Sequence, residues 1–511
     1  MLPQVSRSHR VDPGRLSDAW GPREVAALVL VTGLAALLRF ARLSDPPSLV
    51  FDETYYARDA CWFAYASRAL CGIGSEQTMV HPPLGKQLIA AGIRAFGYDS
   101  FGWRFSAAIA GVLMVALLFL LARRLLRSTS AATLAAGLLA VDWLGFVQSR
   151  IAMLDIFAAL FGLGAVLFTV LDRDTGRHRG RLWRPWRLAA GIAAGAALAS
   201  KWSGAFAVVT VLVLALSWEL GKYRSRGGAG TRSTLRHEAP SIALYLVVVP
   251  VAVYALSYLG RIDGAIVAVP WSPEAWARAL WDRQRYMFSF HSGLEVTHAY
   301  QSPPWSWPLL KRPVSYYFET TPAGHYMEIF AAGSPLVWWS SLGALAYMAD
   351  RWLRRVTGAG AGVRGVGGLG RRTPESAAPE GVVLEAFAIG YFPWFVMGAG
   401  RPAVFMFYLL PVVPFMCLAL AYVAARLERA QAARPAIGLF CAGVVVLFAF
   451  YYPLLAKRPL PREAWLDRIW IFDDCTRPSG AEVGTSEAGR AIESTETDGD
   501  EDLPPTGWCW I

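Results

Sequence analysis

Charge is scarce in this chain. Asp, Glu, Lys and Arg make up 17% of its 511 residues, against 55% hydrophobic ones, and so little charge cannot clothe a soluble protein of this length. Cysteine is rare too, with 6 residues, and none stands at zinc-site spacing with histidine, which excludes a structural zinc module. The Gly-rich stretch Gly358–Arg372 does not end in Gly-Lys-Ser/Thr, so it reads as a flexible linker and not as a phosphate loop. The net charge of +11 does not indicate a nucleic-acid binder, because Lys and Arg fall mainly in short segments between apolar runs.

Apolar length is what the sequence has in abundance. Runs of membrane-spanning character lie at about 24–43, 103–122, 131–149, 153–171, 188–200, 203–219, 240–259, 335–349, 382–399, 403–424 and 435–454. They predict an all-α polytopic membrane protein with about 11 transmembrane helices. The first run reaches Arg39 and Arg42 without a small-residue cleavage pattern, so it reads as an anchor.

Orientation follows from the cations. With a cytoplasmic N-terminal segment at 1–23, the inner connections are Arg123–Ala131, Asp172–Arg187, Gly221–Ala239, Asp350–Gly381 and Ala425–Arg434, each rich in Lys or Arg. The transmembrane domain then covers 24–454, with outer loops at about 44–102 and 260–334 and an extracytoplasmic tail at 455–511. The acidic stretch Ser479–Asp502, almost free of aromatics, predicts partial disorder in that tail. Cys61 and Cys71 share the first outer loop, and Cys475 and Cys509 share the tail. Two disulfides and four unpaired thiols are both compatible with that placement.

The residues able to do chemistry collect on the outer side. Asp52 and Glu53 stand a few positions beyond the first run, flanked by Phe51, Tyr55 and Tyr56. A carboxylate near low dielectric has a raised pKa and suits a general base toward a hydroxyl; the same dipeptide also suits a helix N-cap with a first-turn Glu. His81 precedes Pro82-Pro83, which fix an extended approach to the next helix. Three short outer hairpins each carry one cation, Arg150, Lys201 and Arg401, where the positive-inside rule favours none. Asp155 lies about a turn beyond Arg150, and a stabilising Arg150–Asp155 pair or snorkelling to lipid phosphates accounts for such cations as well as a site does. The second outer loop adds His291, His298 and the stretch Pro303-Pro304-Trp305-Ser306-Trp307-Pro308, a surface suited to sugar, peptide or membrane-interface contact. Cations that stabilise a departing phosphate, beside a carboxylate that deprotonates a hydroxyl, suit an anionic lipid-borne donor. A transporter places its polar groups near the bilayer midplane, where only Asp142 lies here.

In this order and spacing, Phe51-Asp52-Glu53, His81-Pro82-Pro83-Leu84-Gly85-Lys86, Ser149-Arg150 through Asp155, Ser200-Lys201-Trp202, His291 to Pro308, and Arg401 with Phe407 to Pro411 resemble the protein O-mannosyltransferases, specifically the actinobacterial members. The resemblance implies the C-type glycosyltransferase fold, and inverting transfer of mannose from a polyprenyl-phosphate mannose to Ser/Thr hydroxyls of exported proteins outside the plasma membrane. It gives Asp52 the catalytic-base role, Glu53 a part in positioning the acceptor, and Arg150 contact with the donor phosphate. His81, Asp155, Lys201, His291, His298 and Arg401 line the site. Eukaryotic members insert a sugar-binding β-trefoil between spans seven and eight; here the loop at 260–334 is 75 residues long, so acceptor selection works differently, with the secretion translocon as an expected partner. No residue pattern specifies a metal, although carboxylates and histidines at a phosphate are able to recruit a divalent cation. A related enzyme of the same fold acting on a lipid or cell-wall glycan shares these motifs.

Overall fold

The computed structural model describes residues 20–72, 80–175, 183–224, 238–259, 272–294, 298, 300–357, 378–398 and 403–469. Helices occupy all eleven apolar runs. They are α1 (Pro22–Phe40), α4 (Ser100–Leu126), α5 (Thr129–Val141), α6 (Asp155–Thr175), α7 (Pro185–Ser200), α8 (Ala205–Arg224), α9 (Ala239–Ser257), α11 (Pro335–Val356), α12 (Pro379–Tyr391), α13 (Val413–Leu427) and α14 (Arg434–Leu455). Among the described residues, 7 helices are long and apolar enough to cross a membrane. The first outer loop holds α2 (Glu53–Tyr65) and α3 (Leu84–Phe96), and the second holds α10 (Pro273–Ser292).

The run at 131–149 is not one helix. Asp142 leaves the helical region after α5 and caps the short turn Trp143–Gln148, its Oδ1 accepting from the Gly145 N–H at 2.9 Å. Its Oδ2 accepts from the Trp338 indole at 2.9 Å and so anchors the start of α11. The buried Asp142 carboxylate is thereby a structural cap.

Small residues allow close helix contact where side chains add little. A Cβ on Gly191 of α7 would lie 1.8 Å from the Tyr245 carbonyl oxygen of α9, an approach that only glycine permits. Beside this contact α9 widens into a π turn over Leu244–Val248, just ahead of Pro250. The Gly/Ala face of α7 is what brings Lys201, at its C-terminal end, to a fixed position.

The expectation of an all-α protein is corrected by a small sheet, order β1-β2-β3. β1 (Val314–Thr320) and β2 (His325–Ala331) form an antiparallel hairpin, from Val314 opposite Ala331 to Thr320 opposite Tyr326. Both strands are rich in aromatic and β-branched residues, and Gly324 at φ +73° completes the turn between them. β3 (Leu460–Pro461) pairs with the start of β2, and Trp465 just beyond it donates to Glu328 at 2.8 Å. Residues 455–469 of the tail are thus tied onto the second outer loop, and residues 470–511 lie outside the described segments.

Candidate active site

Glu53 is the fixed point of the site. It is fully buried at the start of α2 and accepts five hydrogen bonds, from the Val50 and Ala152 amides (3.0 and 2.8 Å), the Trp103 indole (3.2 Å) and two nitrogens of Arg104 (2.8 Å each). Arg104 on α4 spends its remaining donors on the carbonyls of Leu43, Pro46 and Ser48. One buried bidentate ion pair thus folds the whole segment from α1 to α2. Both oxygens of Glu53 accept from the scaffold, which fixes the backbone beside Asp52.

Asp52 faces the other way. It is half-buried, and its Oδ2 accepts from the Tyr56 hydroxyl at 3.2 Å, one helical turn on. Burial pushes its carboxyl up to about 6, against the pull of the nearby Lys201 ammonium and the Tyr56 hydrogen bond. Phe51 beside it takes φ +49°, a conformation that costs a branched or bulky residue about 1–3 kcal/mol. The rings of Tyr316, His298, Phe407 and Phe405 surround Phe51 at 4.8–6.5 Å and hold it there.

The cation opposite Asp52 is Lys201. Its ammonium lies 2.9 Å from both oxygens of Asp155 at the start of α6, and 4.5 Å from the Tyr408 ring centre. Asp155 therefore pairs with Lys201 and not with Arg150. Tyr316 on β1 closes the far side, its hydroxyl accepting from Gln148 at 2.6 Å. The charges of Asp52 and Asp155 both act on the Tyr316 and Tyr56 phenols, and together with burial keep them protonated.

Arg150 sits apart from this cluster. It donates to the carbonyls of Leu38, Arg39 and Ala41 at 2.7–3.0 Å and of Arg42 at 3.3 Å, the acceptors left open at the end of α1. These contacts close the end of α1 and aim the chain toward Asp52. The rings of His81 and His291 lie 5.1 Å apart, tilted by 35°, with Tyr56 5.7 Å from His81. His291 on α10 is held by the Val80 carbonyl at 2.8 Å. His298 packs on Phe51, and burial lowers its pKa, favouring the neutral ring. Arg401, Cys475 and Cys509 lie outside the described residues. Cys61 and Cys71 form a disulfide, with Cα atoms 5.6 Å apart, that links α2 to the turn after it. Among the described residues no three His, Cys, Asp or Glu side chains are grouped to hold a metal ion.

Tyr316 and Arg104 carry no signal in the sequence and reach the site only through tertiary contacts, whereas Tyr56 stands one helical turn beyond Asp52 and Tyr408 lies within the Phe407 to Pro411 motif.

A helical membrane protein with an acid and a cation facing each other at the ends of its helices is the class that this fold and site define. The family described as dolichyl-phosphate-mannose-protein mannosyltransferase matches residues 29–260, and the C-terminal four TMM region of protein-O-mannosyltransferase matches residues 276–473. The polyprenol-phosphate-mannose–protein mannosyltransferase of Mycobacterium tuberculosis H37Rv is 31% identical over 523 residues, covering 90% of this chain and 95% of that protein. The protein of the same name from Corynebacterium glutamicum is 26% identical, covering 88% and 94%. The Saccharomyces cerevisiae protein O-mannosyltransferase Pmt1-Pmt2 complex bound to the sugar donor shares the fold, with a TM-score of 0.71 at 15% identity over 89% of this chain and 93% of that one. The chain belongs to the protein O-mannosyltransferase family.

Proposed function

We propose that this protein transfers mannose from a polyprenyl-phosphate mannose to Ser/Thr hydroxyls of exported proteins, inverting the anomeric centre, on the outer face of the plasma membrane. The mycobacterial relatives bear that activity in their name, and the observation that carries it to this chain is the half-buried Asp52 carboxylate facing the Lys201 ammonium.

In this reading Asp52 accepts the proton of the acceptor hydroxyl while its oxygen bonds to the anomeric carbon and the bond from that carbon to phosphate breaks. The polyprenyl phosphate leaves with its negative charge toward Lys201. The carboxyl value of about 6 leaves most of Asp52 ionised at pH 7 while keeping it a stronger base than a free aspartate. His81, His291 and His298 line the acceptor side. The helices at all eleven apolar runs and the cationic segments between them support eleven spans, a cytoplasmic N-terminus and a site on the outer side.

The test is an assay with purified protein, polyprenyl-phosphate mannose and a synthetic Ser/Thr peptide. Mannosylated peptide by mass spectrometry, lost in the Asp52→Asn variant, is the expected result. Transfer to a lipid or glycan with none to peptide would overturn the protein-acceptor reading.

A further inference from the structure

At the end of the helices opposite Asp52, three guanidiniums share one carboxylate oxygen. Arg351 and Arg355 come from the last turns of α11, Arg426 from the last turn of α13, and Glu380 from the first turn of α12. Their nitrogens lie 3.6, 3.3 and 3.7 Å from Glu380 Oε1. The same oxygen accepts from the Tyr422 hydroxyl. Glu380 is completely buried, whereas the three arginine side chains keep 33, 39 and 30% of their surface.

The charges do not balance. Three cations meet one anion, and among the described residues no other carboxylate is paired with these three side chains. The ends of α11 and α13 contribute about half a negative charge each and the start of α12 about half a positive one, which still leaves more than one positive charge uncompensated. A second ionic cluster in the protein differs on this point: Arg184 and Arg187 meet Asp172 and Glu238 at 2.8–3.1 Å, two cations for two anions, all buried. That cluster is a closed clamp, whereas among the described residues the one at Glu380 keeps three partly exposed guanidiniums.

The open cluster is also rigid. Arg426 stacks over the Tyr422 ring at 4.4 Å and Arg351 over Tyr347 at 5.8 Å, and Arg351 donates to the Tyr422 hydroxyl at 3.2 Å. Contacts of 3.3–3.7 Å to Glu380 are longer than a charge-assisted hydrogen bond. The carboxylate thus holds the inner edge of each planar fork and leaves donors on the outer edge, in the geometry that reads phosphate oxygens. A bare positive-inside cation needs no buried acid and no stacking ring to do its work.

We infer that Arg351, Arg355 and Arg426 form a binding site for a phosphate-bearing anion at the helix ends opposite the catalytic cleft, occupied by the headgroup of an anionic phospholipid of that leaflet. The full-length protein in detergent is titrated with phosphatidylglycerol, with phosphatidylcholine and with inorganic phosphate, following its melting temperature and, by native mass spectrometry, its retained lipid. Phosphatidylglycerol raises the melting temperature and is retained, and phosphatidylcholine does neither. The Arg355→Gln/Arg426→Gln variant binds phosphatidylglycerol about tenfold more weakly or worse. If that variant melts too low to compare, Arg355→Gln alone, the most exposed of the three, shows the same direction of change. Inorganic phosphate competing at the same concentration as the lipid identifies a free-anion site and overturns the lipid assignment. Equal binding of both lipids, or unchanged affinity in the variants, overturns the site itself.

Discussion

The Tyr56 hydroxyl donates to Asp52 Oδ2 at 3.2 Å. A hydrogen bond to the ionised form favours that form, so Tyr56 holds the carboxyl lower than burial alone would set it. Asp52 acts as a base only when ionised, and transfer should therefore fall as pH drops through about 6. In Tyr56→Phe the hydrogen bond is lost, the carboxyl rises, and the acidic limb of kcat/KM moves to higher pH. A pH profile of both proteins measures this, and an unmoved limb would separate Tyr56 from the reacting carboxylate.

Asp52 and Glu53 are neighbours with opposite duties, and isosteric amides separate them. Asp52→Asn should fold normally, retain donor lipid and lose about 100-fold or more in turnover. Glu53→Gln instead removes the anion from a fully buried pair with Arg104, a class of change that costs about 3–5 kcal/mol. It should lower the melting temperature and yield of the purified protein. A Glu53→Gln protein of normal stability but dead activity would reassign this acid to the chemistry.

Breaking the Lys201–Asp155 pair from either side leaves a buried charge alone. Lys201→Met should cost both stability and turnover. Adding Asp155→Asn to it should return the melting temperature toward wild type while leaving turnover low, because the cation proposed to receive the departing phosphate is still missing. Thermal unfolding beside the peptide assay reads the two effects apart, and activity recovered in the double variant would count against Lys201 as that cation.

Glu328 on β2 gives a prediction about stability and pH. Burial pushes its carboxyl up to about 7, against the Ser315 and Trp465 hydrogen bonds. A carboxyl raised on folding binds its proton more tightly in the native state, so stability falls as pH rises from about 4.5 to 7. Glu328→Gln mimics the protonated form. It should match wild type at pH 5 and melt higher at pH 8; equal melting at both would show that folding does not raise this carboxyl.

The helices were legible because apolar length needs no partner to be recognised, and every run at 24–454 holds one. The hairpin was not, since Pro303 to Pro308 and the aromatics after it read as a membrane-interface surface, and the period-two pattern lies further on, over Val314–Thr320 and His325–Ala331. Asp52 and Lys201 were readable as an outer acid and an outer cation. The pairing of Lys201 with Asp155, 46 residues away, was hidden behind the nearer Arg150. The partners of Arg150 were not legible either, because they are backbone carbonyls, which every residue possesses and no sequence marks. The partners of Glu53 were hidden for another reason: its donors, two backbone amides and the side chains of Trp103 and Arg104, come mostly from segments far along the chain.

The strand at Leu460–Pro461 is hydrogen-bonded to a hairpin that carries Tyr316 into the cleft. Synthesis runs from the N-terminus, so Asp52 is made early, and the sheet that seats Tyr316 over it cannot be finished until the ribosome has passed Trp465. A nascent chain therefore carries Asp52 long before it holds a completed cleft, and the cleft closes only once residues 460–465 have been made.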